Sequence, residues 1–254
     1  MPLSDSEWTT LIGQSRARLE PTLTVQDIEG LLTGGNSGKP MQVICTDQMR
    51  YALKLNDSTN PSHGRTLATE QVVGRLGQLL GAPTVQPARV LCPQELLSNF
   101  VETGNRVAGL GHASRFLDRR QLREDRGQPL QPVTKKNRED HARLGVLYGW
   151  IGAGDHQVLR DTQTDEIFSH DHGLFLPGGG NWGKTNLIAG TPLVPDPWFL
   201  DPDPSNVIEA SMQIKALTDA QIAGAIAYVD ASWGVGDDDL IALANYLSAR
   251  RDML

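Results

Sequence analysis

The segment Gly149–Asn181, GWIGAGDHQVLRDTQTDEIFSHDHGLFLPGGGN, constrains this chain more than any other. It places two carboxylates, Asp155 and Asp171, on short Gly- and His-rich stretches. Between them VLRD and EIFS have strand-like flanks, and TQTD reads as the turn that joins them. A hairpin spanning Gln157–His170 brings its own ends together, so the two acids face one shared site. Paired acids on loops suit a Mg2+-assisted phosphoryl transfer. One orients or deprotonates the nucleophile, and the other holds the metal on the phosphates.

The rest of the chain has the material to build the other half of such a site. At 254 residues, with 39% hydrophobic and 21% charged residues, it is an ordinary folded protein of one large domain or two modest lobes. A net charge of −7 argues against broad nucleic-acid binding, which needs a basic field. The cluster Arg115, Arg119, Arg120, Arg123, Arg126, Lys135, Lys136 and Arg138 reads as a solvated loop face. Cys45 and Cys92, the only cysteines, lie among apolar neighbours and read as buried free thiols. The opening MPLSDSEWTTLIG has no basic-then-apolar signal pattern, and no apolar run reaches the ~18 residues of a membrane span. Together these point to the cytoplasm.

Ser4–Leu19 reads as a helix, with Ser4 and Glu7 forming a capping box and Pro21 ending it. MQVIC and RYALKL read as an antiparallel strand pair, with Lys54 on the face opposite Leu53 and Leu55. Before them GGNSGK is a Gly-rich link whose backbone N–H groups can approach an anion. Arg65–Gly81 has apolar residues at helical spacing and carries Glu70; TVQPARVLCP supplies another strand. From Glu95 the pattern weakens to Gly-rich turns and one strand, and residues 121–137 read as a mobile loop. A firm helix over Arg138–Trp150 then delivers the chain to Asp155. After a loop-rich stretch, helices following Thr218 and Gly236 close the chain. The strand-rich first part and helix-rich second part suggest two lobes, 1–98 and 99–254, with a ligand cleft between them.

Gly178–Thr185, GGGNWGKT, matches the P-loop pattern letter for letter. That pattern works only between a strand and a long helix. GLFLP could be the strand, but only NLIA follows before Pro192, Pro195 and Pro197. The stretch reads as a loop beside the site, with Lys184 near phosphate or substrate.

The ordered set of YALKLND, the GRTLATEQVVGRLGQLLGAP helix, GLGHASRF, WIGAGDHQ and SHDHGLFLPGG resembles the HipA-like atypical kinases, and more distantly the phosphatidylinositol 3- and 4-kinases. The resemblance covers roughly residues 31–180. It implies an α+β, two-lobed protein-kinase-like fold with an antiparallel-sheet N-lobe and a mainly helical C-lobe. It also implies Mg2+ with ATP, and transfer of the γ-phosphate to a hydroxyl, of a protein Ser/Thr first of all. On that resemblance Lys54 would contact the nucleotide phosphates and pair with Glu70. Asp155 would orient or deprotonate the acceptor, and Asp171 would hold the metal. Gly35, Asn36, Ser37 and Gly38 would lie over the phosphates.

One position departs from the pattern. Where these families carry an Asn as a second metal ligand, this chain has Arg160. Gln157, through its amide oxygen, and His156, through nitrogen, are the candidates to replace it. The departure leaves open a nucleotide-binding pseudokinase or regulatory module without transfer. A third reading takes Asp155, His156, His170, Asp171 and His172 as a transition-metal site for hydrolysis.

Overall fold

The computed structural model describes residues 2–32, 40–100, 104–117 and 122–254. Helix α1 (Asp5–Arg16) begins at the expected capping box. The Ser4 side chain accepts from the Glu7 backbone, and the Glu7 carboxylate accepts from the Ser4 N–H at 2.7 Å. Its buried Trp8 and Ile12 join the helical core, where Trp8 Nε1 donates to Asn245 Oδ1 at 2.8 Å.

Strands β1 (Leu23–Leu31), β2 (Met41–Cys45) and β3 (Arg50–Lys54) follow. MQVIC and the RYALK part of RYALKL pair antiparallel, as expected, with Met41 opposite Leu53 and Val43 opposite Tyr51. Alternation turns Met41, Val43, Cys45, Tyr51 and Leu53 inward and Lys54 to the other face. Helix α2 (His63–Leu79) carries Glu70, and β4 (Pro87–Cys92) and the short α3 (Gln94–Asn99) come next. Strand β5 (Gly109–Arg115) then pairs with both β3 and β4.

The five strands close on themselves in the order β1-β2-β3-β5-β4. Closure runs through a short parallel pairing, Leu23 with Val90 and Thr24 with Leu91, so the sheet is not the purely antiparallel one expected. It also takes in β5, which lies beyond the 98/99 boundary read from the sequence. Val25, Val90, Ala113 and both cysteines fill the interior. Burial pushes the Cys45 thiol up to about 12 and Cys92 to about 11.

The stretch expected as a loop over residues 121–137 instead contains β6 (Leu122–Arg126) and the start of α4 (Lys135–Ile151). Strand β6 was illegible because its LREDR sequence is polar. It is held by pairing with β7 (Gln157–Asp161), which pairs in turn with β8 (Ile167–Ser169). The last pairing is the expected hairpin, with Val158 opposite Ser169 and Arg160 opposite Ile167. Most of the described members of the basic cluster are matched by acids, Arg123 by Asp125, Arg126 by Glu124, Lys135 by Glu139, Lys136 by Asp140 and Arg138 by Asp201, while Arg115 lies beside Gln86 and Met49.

Helix α4 is the spine of the second core. From Leu144 to Ile151 every residue is buried. Gly149 is required there, because a Cβ would stand 2.1 Å from the Leu193 carbonyl oxygen. Helices α5 (Pro204–Ala216), α6 (Asp219–Ile226) and α7 (Asp237–Asp252) complete this core. The last two match expectation; α5 was hidden in a segment whose prolines and aspartates read as loop. Helix α2 contributes Leu67, Val72, Val73 and Leu76 to the same core, so it sits between the sheet and the helices. Among the described residues no helix is long and apolar enough to cross a membrane.

Candidate functional site

Four elements converge at the edge of the barrel: β3, α2, the turn after α4 and the turn after β8. Strand alternation sends Lys54 away from the barrel core, toward α2. Its Nζ donates to Glu70 Oε1 at 2.5 Å and to Asp171 Oδ1 at 2.5 Å. A lone helix glutamate ordinarily faces solvent, but the Glu70 side chain is only 2% exposed. Burial alone would raise its pKa. The Lys54 charge and hydrogen bond, together with the neighbouring His112 and His172, outweigh that and hold the carboxyl well below its usual range. Burial also works against the Lys54 ammonium, but the two carboxylates keep it protonated, above the ordinary lysine value.

Glu70 fixes the next element as well. Its Oε2 accepts from the backbone N–H of His172 at 2.8 Å. That bond anchors the turn at Asp171, whose backbone is left-handed at φ 52°, a region that Asp tolerates better than most residues. From the other side, Gln157 Nε2 donates to the Asp171 carbonyl at 3.0 Å. The Asp171 carboxylate, 45% exposed, reaches Lys54 from this pinned turn.

Asp155 arrives from α4. The helix ends in left-handed Gly152, φ 77°, and buried Arg250 caps its last turn. The Arg250 guanidinium donates to the carbonyls of Trp150 at 2.5 Å, Gly149 at 2.7 Å and Gly190 at 2.8 Å. From that fixed end the chain turns to Asp155, whose Oδ2 accepts from Gln157 Nε2 at 3.3 Å. One amide therefore links the Asp155 carboxylate to the Asp171 backbone. Burial, and then the neighbouring Asp171 charge, raise the Asp155 carboxyl above the usual range.

The histidines do not assemble the transition-metal set. His156 Nε2 lies 3.1 Å from Asp196 Oδ2, with its ring against Tyr148 and Trp198. His172 shares a 2.8 Å hydrogen bond with Ser169 Oγ, which also meets the Tyr148 hydroxyl at 2.7 Å. His170 Nε2 is turned toward Glu124 at 4.0 Å. Among the described residues no group of three or more His, Cys, Asp or Glu is placed to hold a metal ion. What remains is two carboxylates, a hard oxygen donor set of the kind that holds Mg2+ or Mn2+ together with substrate phosphates.

Arg160 is built into the sheet rather than the site. Its Nε donates to Asp125 Oδ2 at 2.8 Å and its Nη2 to the Gln131 carbonyl at 3.1 Å. Gly35, Asn36, Ser37 and Gly38 lie outside the described residues. GGGNWGKT contains a 3-10 turn at Gly179–Asn181, and no α-helix follows before α5. Its buried Trp182 donates to the Arg65 carbonyl at 3.0 Å, and the Lys184 N–H to Asp239 at 2.9 Å. Only the first two residues of GLFLP lie in a 3-10 turn, His172–Leu174, and none of it is strand.

Sequence reading missed His112. Paired with Lys54 across β3 and β5, it stands 3.7 Å from Glu70, and burial pushes its pKa down to about 4. The signal was weak: a single histidine in GLGHASR, within a segment of poor periodicity.

No known family's sequence pattern matches the chain, and no curated protein matches it in sequence. Solved structures do match in shape. The proinflammatory kinase CtkA of Helicobacter pylori aligns with a TM-score of 0.59 at 11% identity, over 92% of this chain and 95% of that one. The Golgi casein kinase with Mn/ADP bound aligns with a TM-score of 0.52 at 10% identity, over 99% of this chain and 76% of that one. At these identities the likeness is one of fold: the chain has a mixed α+β, kinase-like fold.

Proposed function

We propose that the protein is an ATP-dependent phosphotransferase of HipA-like type, acting on a hydroxyl and foremost on Ser or Thr of a protein. The observation that carries this reading is Lys54 held between Glu70 and Asp171 at 2.5 Å each, with Asp155 tied to the Asp171 turn through Gln157. A lysine–glutamate pair beside two acids is the arrangement phosphoryl transfer uses for positioning and charge neutralisation. The fold shared with two kinases, one solved with Mn/ADP, supports it.

In this reading Lys54 binds the nucleotide phosphates, and Glu70 keeps its ammonium placed and charged. Asp171 holds Mg2+ against the phosphates, where the ion neutralises charge developing on the transferred group. Asp155, its carboxyl raised by burial, accepts a hydrogen bond from the acceptor hydroxyl and orients it. Gly35, Asn36, Ser37 and Gly38 cover the phosphates. The lobes are the barrel sheet with its helix and a mainly helical remainder, and the compartment is the cytoplasm.

The observation favouring the alternative, a nucleotide-binding module without transfer, is Arg160. It is committed to Asp125 and Gln131, and no second metal ligand stands at that position. Radiolabelled ATP with Mg2+, incubated with the protein and a host lysate, separates the two. Transfer that disappears in Asp155→Ala while nucleotide binding survives supports the kinase. Nucleotide binding without transfer, with Mg2+ or Mn2+, supports the module. Transfer undiminished in Asp155→Ala rejects the assigned role.

A further inference from the structure

On the side of α2 away from its Glu70 contacts, α1, α2 and α6 enclose an open cleft of about 420 Å3. That is within the size range of small-molecule sites, roughly 300–1,000 Å3. Leu19 and Leu79 give it an apolar wall, and Leu79 is 45% exposed, unusual for a helix leucine. A second hollow of about 190 Å3 adjoins it and shares Arg75 and Tyr228 as walls.

The polar groups at this junction are under-used. The Arg75 guanidinium lies over the Tyr228 ring, 3.0 Å from its centroid. Its Nε donates to Gln71 at 3.3 Å, and its nearest acid, Glu20, is 3.8 Å away on a side chain 76% exposed. Arg89 lines the second hollow. Its Nε is buried with no hydrogen-bond partner, while its Nη2 reaches Thr22 at 3.3 Å and its Nη1 stands 4.0 Å from Asp230. A buried, unpartnered guanidinium N–H is costly unless something accepts from it. The other acid lining the hollow, Asp47, is engaged by the Tyr51 hydroxyl at 2.8 Å. Arg18 adds a further cation at the larger cleft.

We propose that this cleft is a second binding site, for a small organic anion with an apolar body. The acid group, a carboxylate or phosphate monoester, lies between Arg75 and Arg89, and the body fills the space against Leu19, Leu79 and Tyr228. Two guanidinium groups supply forked donors suited to either acid, and the tyrosine ring gives the body a flat apolar wall. The inference stands apart from the kinase reading, since it uses none of Lys54, Glu70, Asp155 or Asp171.

Titration calorimetry of the full chain with phenyl phosphate tests it, with inorganic phosphate and phenol in parallel. Saturable binding of phenyl phosphate at least tenfold tighter than either half-molecule is expected. Gly224→Leu should weaken it tenfold or more without loss of melting temperature. Gly224 lines the cleft on α6, a Cβ there meets nothing within 4 Å, and leucine is the better helix former. Arg75→Gln should weaken it comparably. Unchanged affinity in a folded Gly224→Leu protein, displacement of phenyl phosphate by ATP, or no saturable binding overturns the proposal.

Discussion

Replacing Lys54 by methionine separates the energetics of the site from its proposed chemistry. The substitution keeps most of the side-chain volume and removes the cation between Glu70 and Asp171. The consequences for the two acids differ. Asp171 is 45% exposed and can be hydrated; Glu70, at 2%, cannot. It would keep only the His172 N–H and two imidazoles 3.7–3.8 Å away, both of which burial keeps neutral at pH 7. Removing one partner of a buried ion pair costs about 3–5 kcal/mol. For a chain of this size each kcal/mol moves Tm by about 2–4 °C, so a fall of roughly 6–20 °C is expected. The penalty should shrink as pH falls from 8 to 5. An unpaired buried Glu70 has a raised folded pKa, so the folded state takes up the proton and regains stability as pH drops toward the ordinary carboxylate range. The double variant Lys54→Met/Glu70→Gln should recover most of the loss, because the amide needs no counter-charge. Calorimetric melting of wild type, both single variants and the double variant closes the cycle. A Lys54→Met protein melting within about 2 °C of wild type, against the roughly 6–20 °C expected, would refute the reasoning. So would a double variant no more stable than Lys54→Met.

Further outcomes follow from the same geometry. His112 is held neutral by burial at a pKa of about 4 against 6.5 unfolded, so its contribution is complete above 6.5 and fades as pH falls toward 4. The lost stability is on the order of 3 kcal/mol, and His112→Gln should flatten the urea-unfolding profile across that window. Gly149→Ala drives a methyl to 2.1 Å from the Leu193 carbonyl oxygen and should destabilise by about 3 kcal/mol or more, read by the same denaturation. Cys45 and Cys92, buried with thiols raised to about 12 and 11, should resist Ellman's reagent at pH 8 in the native protein and react in urea.

The parts of this fold legible in the sequence were those whose signal is local. Ser4 and Glu7 sit three apart and announce a helix start; Leu67, Val72, Val73 and Leu76 recur at helical spacing; TQTD marks a turn between two strand-like runs. Lys54, Glu70, Asp155 and Asp171 were legible for a different reason. Each stands on an element whose type could be read, and the order of the elements suggested one site. What escaped were features set by distant partners. Strand β6 is polar and exists through β7; β1 closes a barrel through a two-residue parallel pairing that no local pattern encodes. The charge state of Glu70 was also out of reach. It stands among mostly apolar residues of its helix, but its partners come from β3 and from the turn after β8.

Gln157 shows how one residue type supports opposite readings until its donors are placed. The sequence offered its amide oxygen as a stand-in for the metal ligand absent at Arg160. In the structure the amide nitrogen is turned to Asp155 Oδ2 at 3.3 Å and to the Asp171 carbonyl at 3.0 Å, a use that needs N–H and not an oxygen. Gln157→Glu distinguishes the roles, because glutamate keeps the shape and removes the donor. If Gln157 is a strut, the variant loses two hydrogen bonds and sets a third carboxylate against Asp155, costing about 2–3 kcal/mol in EDTA. Added Mg2+ or Mn2+ would then restore much of the loss by screening the acids. If Gln157 is a metal ligand, glutamate strengthens the cation site, and the variant melts above wild type once Mg2+ or Mn2+ is added. In EDTA, a shift under about 2 °C, smaller than the loss of even one hydrogen bond would give, would overturn the strut.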